Sequence, residues 1–246
     1  MRLVPSLRKT RFASAATIRD MSGIDNTTAH PAGEYDKNIR KSIPFYDQFH
    51  EAAINVVAAY IHDPMIWIDV GCGTGTFVER AYDSFPTVEF IMTDPSAAML
   101  DLAKAKLTGK NRATVLAPVT AEKLDIPKRA DVVSAIQSLH YLDANGRKQA
   151  VQNCFHLLRK GGIFVTFENI KPLTDKGTEI GTSNWQGFEV RAGKSIDEAR
   201  KHVQRSGVEF FPITVEEHLR LLREANFSVV ELLWYSYVQA GFYCIK

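Results

Sequence analysis

The stretch Asp69-Val70-Gly71-Cys72-Gly73-Thr74-Gly75 constrains this chain more than any other. It follows a short apolar run at 65–70 and precedes a segment of helical character at 77–85. Glycines at alternate positions let the backbone turn tightly and come close to a ligand, while the next helix start offers N–H donors. The alternative is a tight strand-to-helix turn that holds nothing, and the placement of the fixed positions favours a ligand. A dinucleotide site of the form G-x-G-x-x-G/A does not fit, because Thr76 stands where its third small residue belongs.

The rest of the chain supplies the frame for such a loop. Phe45, Phe49, Ala52, Ala53, Val56, Val57 and Tyr60 recur at helical spacing, so 44–61 reads as an amphipathic helix opened by Pro44. Strands are expected at 65–70, 88–93, 114–117, 131–135 and 163–169, with helices at 77–85, 96–107 and 143–158 between them. Two β-rich segments, 227–234 and 238–245, close the chain as an antiparallel hairpin. This alternation predicts an α/β fold: a Rossmann-like, seven-stranded, mostly parallel sheet with helices on both faces. Residues 171–213 break the rhythm. Gly177, Gly181, Gly187 and Gly193 among polar residues suggest a long loop, followed by two capping boxes, Ser195 with Glu198 and Thr214 with Glu217.

Composition narrows the function classes. Apolar residues make up 45% and charged residues 24%, which suits a globular chain and excludes fibrous or disordered classes. The longest stretch without charge, 232–245, is 14 residues, too short to span a bilayer. Cys72, Cys154 and Cys244 are odd in number and share no metal-ligand spacing, so no disulfide framework and no metal are expected, and a cytoplasmic home is the simplest. Arg2, Arg8, Lys9, Arg11 and Arg19 gather in the first 19 residues, where no acid stands. The net +2 of the whole chain therefore hides a slightly acidic body, which offers no basic footprint for nucleic acid. Residues 1–30 read as a disordered basic tail or an over-extended start, with a transit peptide as the alternative and a secretory signal least favoured. The folded domain is then 31–246.

A second marker is Asp94, in Thr93-Asp94-Pro95-Ser96, where an acid at the end of the second strand can accept from both hydroxyls of a ribose. Helix capping is its other reading. With Asp69 and the G-x-G-x-G spacing, the chain over 35–246 resembles the class I S-adenosylmethionine-dependent methyltransferases, whose first motif is D/E-x-G-x-G-x-G. The resemblance implies S-adenosyl-L-methionine as cofactor. It assigns cofactor binding to Asp69, Gly71, Cys72, Gly73, Thr74 and Gly75, and ribose binding to Asp94. Pro95 is counted with the cofactor residues and Met99 is placed near the adenine, with Ala121 and Glu122 as a weaker match to the family's adenine segment. It also implies that 136–141, with Gln137, closes over the sulfonium and lines the acceptor pocket. His140 in that loop is either a general base or a histidine that packs and hydrogen-bonds locally. Glu168 and Asn169 are pocket candidates on the same terms.

Ile39-Arg40-Lys41-Ser42-Ile43-Pro44-Phe45-Tyr46 is similar to the I-x-R-S-V-P-x-Y segment of carboxy-S-adenosylmethionine synthases, in which the tyrosine touches the cofactor. The stretch 214–227 is similar too. In that family an arginine of the insert pairs with the added carboxylate, but its ungapped counterpart here is Val203, and Ile136 stands nearest the family's loop asparagine. The expectation is therefore a methyltransferase acting on a small-molecule acceptor by in-line transfer, with His140 and Tyr46 as candidate proton acceptors. A carboxylating enzyme and a non-catalytic cofactor-binding protein are the alternatives. The insert 171–213, with Trp185 and Phe188, and the segment 35–46 are expected to act together as a lid over the acceptor pocket. Partners are a small-molecule substrate and at most a second copy in a homodimer, without nucleic acid or membrane.

Overall fold

The computed structural model describes residues 25–246. Seven strands form one sheet: β1 (Ile66–Val70), β2 (Glu89–Thr93), β3 (Ala113–Val115), β4 (Ala130–Ile136), β5 (Leu158–Asn169), β6 (Val229–Ser236) and β7 (Gln239–Ile245). Their order is β3-β2-β1-β4-β5-β7-β6, with β1 to β5 parallel and β7 antiparallel to both β5 and β6. The predicted class and the closing hairpin agree with this sheet. Strand order reverses between β1 and β4, so a crevice opens beyond their carboxyl ends.

Side-chain alternation explains why helices cover both faces. Trp67 of β1 packs with Phe90 and Met92 on one face, under α2 (Tyr46–Tyr60), α3 (Thr76–Ala81) and α4 (Ala97–Lys106). Ile68 and Val70 point the other way, toward α5 (Ala144–Leu157) and α8 (Val215–Glu224). Asp131 ties the β4 start to β1 by accepting from the N–H groups of Met65 and Ile66, at 2.8 and 2.9 Å.

Three features depart from the sequence reading. The helix expected over 44–61 is preceded by another, α1 (Tyr35–Ser42), and the two are separated at Phe45, which takes φ 55°. That break places Tyr46 at the first position of α2. Residues 171–194, expected as a loop, form the helix α6 (Asp175–Arg191), and the capping box at Ser195 opens α7 (Ile196–Val203) as its spacing implied. Glycine lowers helix propensity by about 1 kcal/mol, but Thr174 caps α6 through the Gly177 N–H, and a Cβ on Gly181 would sit 3.1 Å from Val238. The small residue thus lets α6 approach the β6–β7 turn, and Trp185, Val203, Phe210 and Val238 form a third, smaller core beneath it. Finally, the tail expectation covers two different things. Residues 1–24 lie outside the described residues, whereas 25–30 are laid onto the domain. Asp25 accepts from the Ala32 N–H and, by its carbonyl, from Ser96 Oγ, and His30 Nε2 lies 2.8 Å from Ser42 Oγ.

Candidate functional site

The glycine loop is stitched to the end of β2. Gly71 and Cys72 N–H donate to the Thr93 carbonyl at 2.7 and 2.9 Å, and Gly73 N–H donates to Asp94 Oδ2 at 2.9 Å. Asp94 Oδ1 accepts from the Ser96 N–H at 2.8 Å, so each oxygen holds one backbone donor and keeps further acceptor capacity. Burial pushes the Asp94 carboxyl above its ordinary value, against the pull of those two bonds. Asp69 is more enclosed still. It sits opposite Ser134 in the β1–β4 pairing and accepts from Ser134 Oγ at 2.5 Å, while Ser134 accepts from Trp67 Nε1 at 2.8 Å. Burial raises Asp69 to about 7, with Ser134 opposing and Asp94 adding to the shift.

These groups border one pocket at the strand-order reversal. Its floor is Asp69, Gly71 to Thr74, Asp94 and Pro95, and its far wall Met99, Thr120, Ala121 and Gln137. Most of the predicted cofactor residues therefore converge, including Tyr46. Gly75 does not reach the pocket: it faces α4, where a Cβ would lie 2.9 Å from Met92 Cε and 3.2 Å from Ala103 Cβ. Glu122 stands behind Ala121 rather than on the wall, with a buried oxygen that lacks a partner among the described residues.

The pocket carries residues that sequence reasoning missed. Asn26, Thr27 and Thr28 roof it and His50 completes one side, whereas Ser138 and Tyr141 come from the 136–141 loop expected to line it and Tyr35 from the segment before α2. His50 was legible in principle, since it lies four positions after Tyr46 on the same helical face. The polar 26–28 stretch has no periodicity to betray it. Asp36 was missed too: from α1 it accepts from Thr74 Oγ1 at 2.6 Å, Thr76 Oγ1 at 3.1 Å and Lys106 Nζ at 2.6 Å, fastening α1 to the glycine loop.

Unpaired polar atoms gather around this space. Both amide atoms of Gln137, Thr120 Oγ1 and His50 Nδ1 are buried and have no hydrogen-bond partner among the described residues. Gln137 also holds φ 56°, a strained conformation for a non-glycine residue. Above Gly73, a Cβ would meet nothing within 4 Å. Acidic groups for an ammonium and a ribose, an open cradle over a glycine and spare donors thus fit a polar nucleoside ligand.

The two catalytic candidates fare differently. His140 does not line the pocket. It is 1% exposed, with Nδ1 2.7 Å from Glu168 Oε2 and Nε2 3.3 Å from the Asn169 amide. Glu168 accepts in addition from the backbone of Leu139 and His140 and from Thr166. Burial raises the Glu168 carboxyl, but His140 and its other donors outweigh that and leave it lowered. This is a clasp between the β4 and β5 ends, so the local-packing alternative describes His140, and the general-base expectation is corrected: neither ring nitrogen is free for a substrate. Glu168 and Asn169 belong to the same clasp. Tyr46 does line the pocket, but burial, reinforced by Asp36, drives its phenol far upward, so it stays protonated.

A family model described as a methyltransferase domain matches residues 68–164, the span from β1 through β5. The chain thus carries a methyltransferase domain over this span. Carboxy-S-adenosyl-L-methionine synthase of Trichodesmium erythraeum is 26% identical over 203 residues, 81% of this chain and 79% of the relative. Among solved structures, the CurJ carbon methyltransferase superposes with a TM-score of 0.65 at 18% identity over 87% of this chain and 59% of its own. PigF, solved with S-adenosylhomocysteine, gives 0.59 at 17% over 85% and 62%. The chain thus spans about three-fifths of these two solved structures, and the likeness to them is one of fold. As a methyltransferase it takes S-adenosylmethionine. Among the described residues, no helix is long and apolar enough to cross a membrane.

Proposed function

We propose that the enzyme transfers the methyl group of S-adenosylmethionine to a small-molecule acceptor, with Asp94 receiving the ribose hydroxyls and Asp69 facing the cationic amino end. The observation that carries this reading is the enclosure of the pocket. Residues 26–28, Tyr35 and Tyr46 roof it from the N-terminal side, and the insert packs on that roof through Trp185 Nε1, which donates to the Ser42 carbonyl at 2.6 Å. A cover of this kind excludes water and leaves little room for a macromolecular acceptor. Bound S-adenosylmethionine supplies a methyl already activated by its sulfonium. The protein's task is then to align the acceptor and keep the site dry.

The relative's name favours a second reading, carboxylation of the cofactor. Two features of the insert speak against it. Val203, the ungapped counterpart of the arginine in that family, is buried in the third core beside Trp185 and Phe210. Arg205, two residues on, is held by Glu209 at 2.7 Å and by the Thr27 carbonyl at 2.9 Å. Incubation with S-adenosylmethionine, with and without prephenate, the carboxyl donor that the resemblance to carboxy-S-adenosylmethionine synthases implies, and mass spectrometry of the cofactor products separates the two. S-adenosylhomocysteine and a methylated acceptor are expected from a metabolite extract. A prephenate-dependent carboxylated cofactor would assign the enzyme to the other reaction.

A further inference from the structure

Charge is distributed one-sidedly around the cofactor pocket. Among the described residues, no lysine or arginine lines it, while two acids do, Asp69 and Asp94. Its one imidazole supplies no positive charge either. Burial, with Arg80 adding, pushes His50 down to about 3, so the ring is neutral at pH 7. Burial likewise keeps the phenols of Tyr35 and Tyr141 protonated, the latter pushed up to about 12. Asn26, Thr28 and Gln137, also on the lining, carry no charge at any pH of interest.

Two cations touch the lining from behind, and each is already neutralised. Lys106 Nζ donates to Thr74 Oγ1 at 3.1 Å and to Thr76 Oγ1 at 2.5 Å, but its charge is met by Asp36 at 2.6 Å. Arg205 donates to the Thr27 carbonyl at 2.9 Å and is paired with Glu209 at 2.7 Å. Gln137 adds a condition of its own. It is 8% exposed and neither amide atom has a partner among the described residues. Its Oε1 only accepts, so a carboxylate placed against it, having no donor, would leave that oxygen orphaned.

Resting on the methyl-transfer reading above, we infer that the pocket selects its acceptor by charge, taking uncharged polar molecules and shutting out carboxylates and phosphate esters. In-line transfer brings the accepting atom to within about 3–3.5 Å of the methyl carbon, so the acceptor has to share this pocket with the cofactor. Bound S-adenosylmethionine carries a single net positive charge, which the carboxylates of Asp69 and Asp94, once ionised beside it, more than balance. An anionic acceptor would therefore add like charge to a covered site that has no spare cation. A carboxylate buried without a partner is costly, whereas an uncharged group that both donates and accepts meets the amides and hydroxyls of this lining at little cost.

Benzamide and benzoate, alike in shape and different in charge, test this directly. The full chain is saturated with sinefungin, whose amine stands in for the sulfonium charge, and each probe is titrated by ligand-observed NMR. Benzamide should bind at least roughly tenfold more tightly than benzoate, the factor expected where a charge meets no partner. Gln137→Lys, which puts a cation on the lining, should strengthen benzoate binding by roughly tenfold in protein that still binds sinefungin. Thr28→Lys serves the same purpose should the first variant not fold. In a second arm, methyl-labelled S-adenosylmethionine is incubated with a metabolite extract split on an anion exchanger at pH 7, and label should enter compounds of the unretained fraction. Benzoate binding as tightly as benzamide, benzoate affinity unmoved by the added cation, or label confined to the retained anions would each overturn the assignment. Failure of both sinefungin and S-adenosylmethionine to bind would instead overturn the cofactor reading on which it rests.

Discussion

Two buried acids do different work because their surroundings differ. Asp94 is held in place by backbone donors from the glycine loop and from the start of α4, and it keeps lone pairs for a ligand. Replacing it with alanine should weaken binding of S-adenosylhomocysteine by about 1.5–3 kcal/mol, the worth of hydrogen bonds to a charged group. Isothermal calorimetry on Asp94→Ala checks this, and an unchanged affinity would remove Asp94 from the site. Asp69, raised to about 7 by burial, is partly protonated at neutral pH before ligand arrives. A cationic amino group favours its ionised form, so binding releases a proton below about pH 7, and affinity should climb as pH rises to that point. At higher pH the ligand's own α-amino group loses its charge and affinity should decline. Asp69→Asn should flatten the rising limb and leave the falling one. Both acids were visible in the sequence, since each stands at a strand end beside the glycine loop. That His140 turns inward was not visible, because its partners Glu168 and Asn169 come from another strand.

At the scale of elements, the sheet's seam between parallel and antiparallel strands depends on a close approach. Gly241 of β7 pairs with Phe167 of β5, and a Cβ there would lie 2.4 Å from the Phe167 ring. That ring also stacks on Phe49 of α2 at 5.0 Å, so it cannot swing aside without disturbing the helix. Gly241→Ala should therefore cost about 1–3 kcal/mol through overpacking. A thermal melt of the variant reads this as a lowered Tm, and a melt matching the parent would show that the ring relocates freely. The strands and the core helices were legible because their apolar residues repeat at period 2 or 3.6. Helix α6 was not, since its glycines mimic a loop and only its seat against Pro172 and Val238 makes them useful.

For the whole molecule, the cover over the pocket is assembled from distant parts. Residues 25–30 reach across to the Arg205 guanidinium and to Ser96, and α6 reaches back to Ser42. A chain beginning at Gly33 should accordingly bind S-adenosylhomocysteine more weakly than one beginning at Asp25, with its cooperative melt retained by the two main cores. Equal affinities would show that the roof is dispensable. Hydrogen exchange should slow at 25–46 and along α6 and α7 when S-adenosylhomocysteine is added, since ordering a cover costs entropy that ligand contacts offset. Equal exchange in both states would make these segments fixed scaffold.

By itself the sequence determined what is local: the strand–loop–helix cradle, the alternation that buries two faces of a sheet, and the acids at the strand ends. Backbone geometry and burial pattern are set by near neighbours, so spacing alone reveals them. Only the tertiary structure decided which polar groups meet. Thr27 and Arg205, 178 residues apart, His202 and Glu189 on successive helices, and His140 between two strand ends are brought together by how the elements pack. No periodicity encodes such pairings, because each depends on the angle and depth at which one element lies on another.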